Sequence, residues 1–171
     1  DLDTDITLSG TSAIHLRITD DAGNVGTADT TSYILDTTAP TISFASVDIS
    51  ADTGTADDDF ETKTAAQTLT ATLSAAMAAD DILKVSVNAG SSWSTVTTDV
   101  TGDPDTALST DITLSGTSAI HLQITDDAGN AGTADTTSYS LDTTAPTITF
   151  ATVDISADTG TSAADFNTNT A

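Results

Sequence analysis

The chain has no cysteine, so neither a disulfide framework nor a thiolate metal site can hold it together. Only 3 of its 171 residues are proline, and aromatics make up 4%, which leaves any core to aliphatic side chains, Ala and Thr. Bases are scarce too: 3 Lys and Arg face 26 Asp and Glu, for a net charge of −23. A chain of that charge repels phosphate backbones and anionic bilayers, so no nucleic acid and no membrane insertion are expected. No apolar run reaches the ~18–20 residues of a membrane helix, and no basic–apolar leader opens the sequence.

Glutamate is nearly missing as well. Glu61 stands alone and every other acid is Asp, the shorter carboxylate that favours turns and loops over helices. Two readings of this acid stay open: solubility in a salty medium, with Asp chosen because turns abound, or divalent-cation binding by clustered loop carboxylates.

What the sequence does have is a long internal repeat. Asp5–Ala65 recurs as Asp111–Ala171 with 51 of 61 positions identical, a period of 106 residues. That is too long for a solenoid or a propeller blade and fits an array of whole domains. The string LDTTAP, at Leu35–Pro40 and Leu141–Pro146, marks the joints, because proline ends strand pairing and fixes the backbone locally. The expected units are residues 1–36 (the end of one repeat), 37–142 (a complete repeat) and 143–171 (the start of a third). Neither flank can close a sandwich alone, so a longer polypeptide is expected.

Within 37–142 the apolar period is two, the strand signature. Leu69, Ala71 and Leu73 alternate with Thr; Leu83, Val85 and Val87 alternate with Lys84 and Ser86; Ile112 with Leu114, and Ile120, Leu122 and Ile124, follow the same rule. In the first strand Ile42 and Phe44 share one parity while Val47 and Ile49 share the other, which predicts a bulge letting an edge strand pass from one sheet to the other. Strands are predicted near 41–49, 67–74, 82–88, 93–99, 111–115, 119–126 and 133–141. About seven strands with turns between them predict an all-β, Ig-like β-sandwich, repeated in tandem. The Ala-rich stretch Ala65–Asp81 offers a rival helical reading; its alternation favours a strand, followed by a short helical turn at Ala75–Asp80.

The residues point away from an enzyme and from a small-molecule substrate. His15 and His121 occupy equivalent outward positions on a strand and read as solvated residues. No Ser-His-Asp arrangement, phosphate-binding Gly loop or HExxH motif occurs. Carboxylate groups are the constellation that stands out. DDAGN, at Asp20–Asn24 and Asp126–Asn130, predicts a tight hairpin turn. VDISADTG, at Val47–Gly54 and Val153–Gly160, opens a long polar loop with further acids at Asp57, Asp58 and Asp59 and at Asp165. Its spacing is not that of an EF-hand. Asp80 with Asp81, and Asp99, Asp103 and Asp105, form two more groups. Carboxylates ~4 Å apart repel by about 1 kcal/mol in water and about 4 kcal/mol at an effective dielectric of ~20, so crowded acids need a counter-ion or must splay apart. Calcium suits them because it takes 6–8 oxygens in irregular geometry.

Taken in order, LDTTAPTI at the joint, the DISADTG loop with its later Asp, NAGSSW with Trp93 and the DDAGN hairpin resemble the Ig-like extender repeats of very large RTX adhesins exported by type I secretion. The likeness spans essentially the whole chain. It implies Ca2+ within each domain and at the joints, and a monomeric spacer at the bacterial cell surface whose partners are the neighbouring repeats. It also implies a loop site of Asp48, Asp52 and Asp59, repeated as Asp154, Asp158 and Asp165. The joint site would join Asp36 to Asp126, Asp127 or Asn130, with Asp142 and Asp20, Asp21 and Asn24 as repeat equivalents. Asn167 and Asn169 stand where Glu61 and Lys63 do, a departure in which the lysine is expected to weaken or reshape its site. A ligand-binding module and homophilic adhesion remain the alternatives to a spacer.

Overall fold

A computed structural model describes residues 5–96, 100–102, 105–162 and 165–170. Among the described residues the regular structure is all β, in eleven strands. β1 (Thr11–Leu16) and β2 (Asp29–Ile34) form a separate hairpin. The others are β3 (Phe44–Ile49), β4 (Glu61–Thr62), β5 (Ala66–Leu73), β6 (Ile82–Ser86), β7 (Ser94–Thr95), β8 (Val100–Gly102), β9 (Asp105–Thr113), β10 (Thr117–Thr125) and β11 (Asp135–Leu141). They make a four-stranded sheet, β3-β5-β9-β8, and a five-stranded sheet, β4-β11-β10-β6-β7.

Both sheets feed one apolar core, an arrangement consistent with a β-sandwich. Phe44, Ile49, Leu69, Ala71, Leu73, Leu108 and Ile112 come from the first sheet; Leu83, Val85, Ile120, Leu122, Ile124 and Tyr139 come from the second. The alternation read from the sequence is the alternation of burial, most plainly along β5. Most Thr of the strands take outward positions, where a β-branched side chain suits a pleated surface; Gln67, Ser86 and Thr125 are buried, and at the end of β6 Ser86 is covered while Val87, expected inward, is only partly so.

Three details differ from the sequence expectation. The register of β3 against β5 shifts between Ala45 and Asp48, and Ser46 adopts φ +50°. The predicted bulge is therefore present, but it resets the parity so that Phe44 and Ile49 reach the same core. The crossing to the other sheet falls instead to β4, which pairs parallel with β11. Secondly, nine strands, β3 to β11, fall among the described residues between 37 and 142, where about seven were expected. β4 arises inside the polar loop, and the predicted 93–99 strand gives only Ser94–Thr95, on the five-stranded sheet, with residues 97–99 outside the described set. Thirdly, Ala75–Asp80 is not a helical turn. Asp81 closes the β5–β6 connection, its N–H donating to the Ala78 carbonyl at 3.1 Å and its Oδ2 accepting from Ala78 N at 3.0 Å, a side-chain closure that competes with helix.

The β1–β2 hairpin repeats β10–β11 in register: Ser12 faces Tyr33 as Ser118 faces Tyr139. In both, the tyrosine hydroxyl donates to a serine carbonyl, Ser9 and Ser115 respectively, at 3.2 Å. Tyr139 Oη lies nearer still to Val87 O, at 2.7 Å, so its single proton is shared between the two carbonyls. Leu122 is 1% exposed, whereas its counterpart Leu16 is 58% exposed.

Candidate metal centre

Two regions gather the acids. The first is the loop between β3 and β4. Asp52 Oδ2 accepts from the Phe60 N–H at 2.7 Å, and Asp59 Oδ1 accepts from Glu61 N at 3.0 Å. Phe60 takes φ +59° and yet is 9% exposed, its ring set into the core. A non-glycine residue in that region is costly; here the carboxylate of Asp52 and the burial of the ring hold it. The loop is then stitched to the last strand, since Ser140 N donates to Phe60 O at 3.0 Å and Asp142 N to Thr62 O at 2.9 Å.

Asp52 Oδ1 is the telling atom. It is buried and has no hydrogen-bond partner, and the same holds for Asp158 Oδ1, one repeat later. A buried, unpartnered acceptor costs on the order of 1–3 kcal/mol, more when charged. Gly54 lets the loop pack closely on itself, since a Cβ there would stand 3.0 Å from Asp59 Oδ1, 3.1 Å from Glu61 O and 3.2 Å from Glu61 Cβ; at Gly160 the corresponding distances to Asp165 Oδ1 and Asn167 O are both 3.0 Å. Carboxylate and carbonyl oxygens of one loop, among them a carboxylate oxygen without a partner, are donors of the kind that a hard, oxygen-seeking divalent cation takes. Asp48 and Asp154 use Oδ1 to accept from their own neighbours, Ile49 N and Ile155 N, both at 2.8 Å.

The second region is the joint. Asp36, Asp80, Asp81, Asp126 and Asp127 line one cleft of about 360 Å³, so the β5–β6 acids, which the sequence set apart, join the group at the joint. Asn130 ties the segments: its Nδ2 donates to the Asp36 carbonyl at 3.1 Å and to Asp126 Oδ2 at 2.9 Å, while Asp126 Oδ1 accepts from Asn130 N at 2.7 Å. Both oxygens of Asp126 thus serve the hairpin, and the Asn130 side chain holds its carboxyl below the usual 3.8. Asp20 and Asn24 close the first hairpin in the same way, at 2.7 and 2.8 Å, with the same downward shift. Close packing at the joint also needs Gly132, where a Cβ would lie 2.7 Å from the Pro40 carbonyl. Asp36 and Asp142 each cap the following turn, accepting from Thr38 N at 2.9 Å and Thr144 N at 2.8 Å. Asp21 is exposed, Asp105 begins β9, and Asp103 lies outside the described residues.

Among the described residues no three His, Asp or Glu side chains converge as a ready metal cluster. The ligand sets expected at the loop and the joint are therefore gathered by region, not closed into shells. His121 is not simply solvated: it is half-buried, with Trp93 edge-on at a centroid distance of 6.1 Å. Two buried polar residues beside the loop, Thr62 of β4 and Gln67 of β5, had not stood out in the sequence as candidates. Gln67 carried a signal, a polar side chain on the inward parity of Leu69, Ala71 and Leu73.

No protein-family model matches the chain, and no curated protein matches it. The chemistry of the site therefore stands on its own geometry.

Proposed function

We propose that the chain is part of a tandem array of Ig-like units that serves as a calcium-stiffened spacer in a bacterial cell-surface adhesin. The observation that carries the reading is the buried, unpartnered carboxylate oxygen of Asp52, reproduced at Asp158. Bound calcium would supply positive charge and oxygen coordination at that atom. The residues that would hold it are Asp52, Asp59 and the Glu61 carbonyl in one loop, and Asp158, Asp165 and the Asn167 carbonyl in the next. At the joint, Asp36, Asp80, Asp81 and Asp127 are the acids left to share a second ion, Asp126 being engaged by Asn130.

Tandem repetition is supported by the β1–β2 hairpin, which repeats β10–β11 in register. A spacer needs neither a catalytic group nor a recognition pocket. It needs joints that resist bending, and a segment pinned by Asn130, packed on Gly132 and flanked by acids has the means once those acids are neutralised. Small-angle scattering on the chain in calcium and then in chelator tests this. The expected result is a longer, stiffer particle with calcium; identical profiles in the two conditions would remove the basis of the proposal.

A further inference from the structure

Gln67 sits on the inward face of β5 in line with Leu69, Ala71 and Leu73, and is 3% exposed. A primary amide in a core is costly unless its polar atoms are bonded, and a Leu or Met would fill that space without the cost. All its bonds go to the two stems of the acidic loop. On the leading stem Oε1 accepts from Ala51 N at 2.8 Å and from Ser50 Oγ at 3.2 Å. On the trailing stem Nε2 donates to Thr64 O at 2.7 Å and to Thr62 Oγ1 at 3.3 Å, and it lies 3.2 Å from Ala51 O across the gap. Thr62 completes the bridge, its hydroxyl donating to Ala51 O at 2.6 Å. Ala51 immediately precedes Asp52, and Thr62 immediately follows Glu61. One side chain rooted in the sheet thus sets the width of the loop's mouth.

We propose that Gln67 is the positioning residue of the loop's cation site: without touching the ion, it fixes the separation between Asp52 and the Asp59–Glu61 turn. The proposal rests on the calcium reading above. Groups that orient ligands from behind set metal affinity as strongly as on the order of 10–100-fold. Its side chain is suited to this because it joins backbone to backbone, not ligand to ligand.

The test is isothermal calorimetry of calcium binding to the whole chain, with urea unfolding in chelator run beside it. Gln67→Met keeps the volume and removes the bonds. The expected result is a loss of about tenfold or more in affinity at the Asp52 loop, with the Asp158 loop of the same molecule unchanged as internal reference. In an Asp52→Asn background, Gln67→Met should cause no further loss. If Gln67→Met lowers stability in chelator but leaves every affinity where it was, Gln67 is a core filler and the proposal is overturned. Should Gln67→Met fail to fold, Thr62→Val, which keeps shape and removes the hydroxyl, reads the same bridge and must weaken the same site. Absence of calcium binding by the unsubstituted chain would overturn the calcium reading itself, and this inference with it.

Discussion

Replacing Asp52 by Asn should change sign with calcium. In the folded chain Asp52 Oδ2 binds Phe60 N at 2.7 Å while Oδ1 is buried with no partner. Asn keeps the acceptor for Phe60 and exchanges a charged, desolvated oxygen for a neutral group. Without a cation, the charge is a liability of on the order of 1–3 kcal/mol, so Asp52→Asn should leave stability in chelator unchanged or raised. With calcium, the native chain gains what the variant cannot. At the ~10⁻⁴–10⁻³ M affinity of extracellular modules, tenfold excess of ion adds about 1.4 kcal/mol per site. Each kcal/mol moves Tm by about 4–8 °C for a unit of this size, so calorimetric scans with EDTA and with calcium resolve the effect easily. The native chain should rise on adding calcium, and the variant should rise less by the contribution of one loop. An Asp52→Asn chain whose stability differs from the native by the same amount with EDTA and with calcium would show that no ion acts at this carboxylate, and would refute the reasoning.

Two further outcomes follow from burial and charge. Leu122→Ala, at the centre of the shared core, should cost about 2–5 kcal/mol in urea unfolding, whereas the equivalent Leu16→Ala, on an uncovered hairpin face, should stay within about 0.5 kcal/mol. Asp126 has its carboxyl lowered in the fold by Asn130, so its contribution is present above the unfolded value of about 3.9. That contribution is lost as pH falls through the folded value, below 3.8. Amide protection of the hairpin followed by NMR should therefore collapse only under that limit, and Asn130→Ala should move the collapse upward.

The sheets were legible because each strand has one wet face, and a period of two leaves a mark in sequence wherever that is so. Leu69, Leu83, Ile112 and Leu122 needed no tertiary information. The bulge was legible too, as a parity change between Phe44 and Ile49, but its consequence was not: whether a bulge moves a strand to another sheet or keeps it in the same core depends on what lies across from it. β4 was invisible because two residues, Glu61 and Thr62, carry no period at all, and they pair with β11 only because Phe60 is drawn into the core. The acids of the site were legible as residues and not as partners. Asp80 and Asp81 lie far from Asp36 in sequence and meet it only through the stacking of the β5–β6 turn beside the β10–β11 hairpin, while Asp126 proved to be spoken for by Asn130. Gln67 broke the apolar pattern of its strand, and a break of that kind marks a buried polar function more often than an error.

The two copies of the acidic loop separate hydrogen-bonded frame from charge. The frame is common: Asp158 Oδ2 accepts from Phe166 N at 3.1 Å as Asp52 does from Phe60 N at 2.7 Å, and Asn169 N donates to Thr159 Oγ1 at 3.0 Å as Lys63 N does to Thr53 Oγ1 at 2.9 Å. The charge is not: Ala163, Ala164 and Asn167 stand for Asp57, Asp58 and Glu61, and Asn169 for Lys63. Because the unpartnered oxygen persists in both copies, it belongs to the frame, and the surrounding acids act on it from a distance through water. Exposed charges of that sort are screened over a Debye length of about 10 Å at 0.1 M salt. The loop at Asp52 should therefore bind calcium more tightly than the loop at Asp158 in dilute buffer, and the gap should narrow as sodium chloride is raised, down to the part that Gln67 holds at the Asp52 loop. Calorimetric titrations at low and high salt, with Asp158→Asn and Asp52→Asn used to assign the classes, read both affinities directly. A gap that does not narrow in molar salt, or equal affinities in dilute buffer, would mean that the outlying acids do not reach the ion.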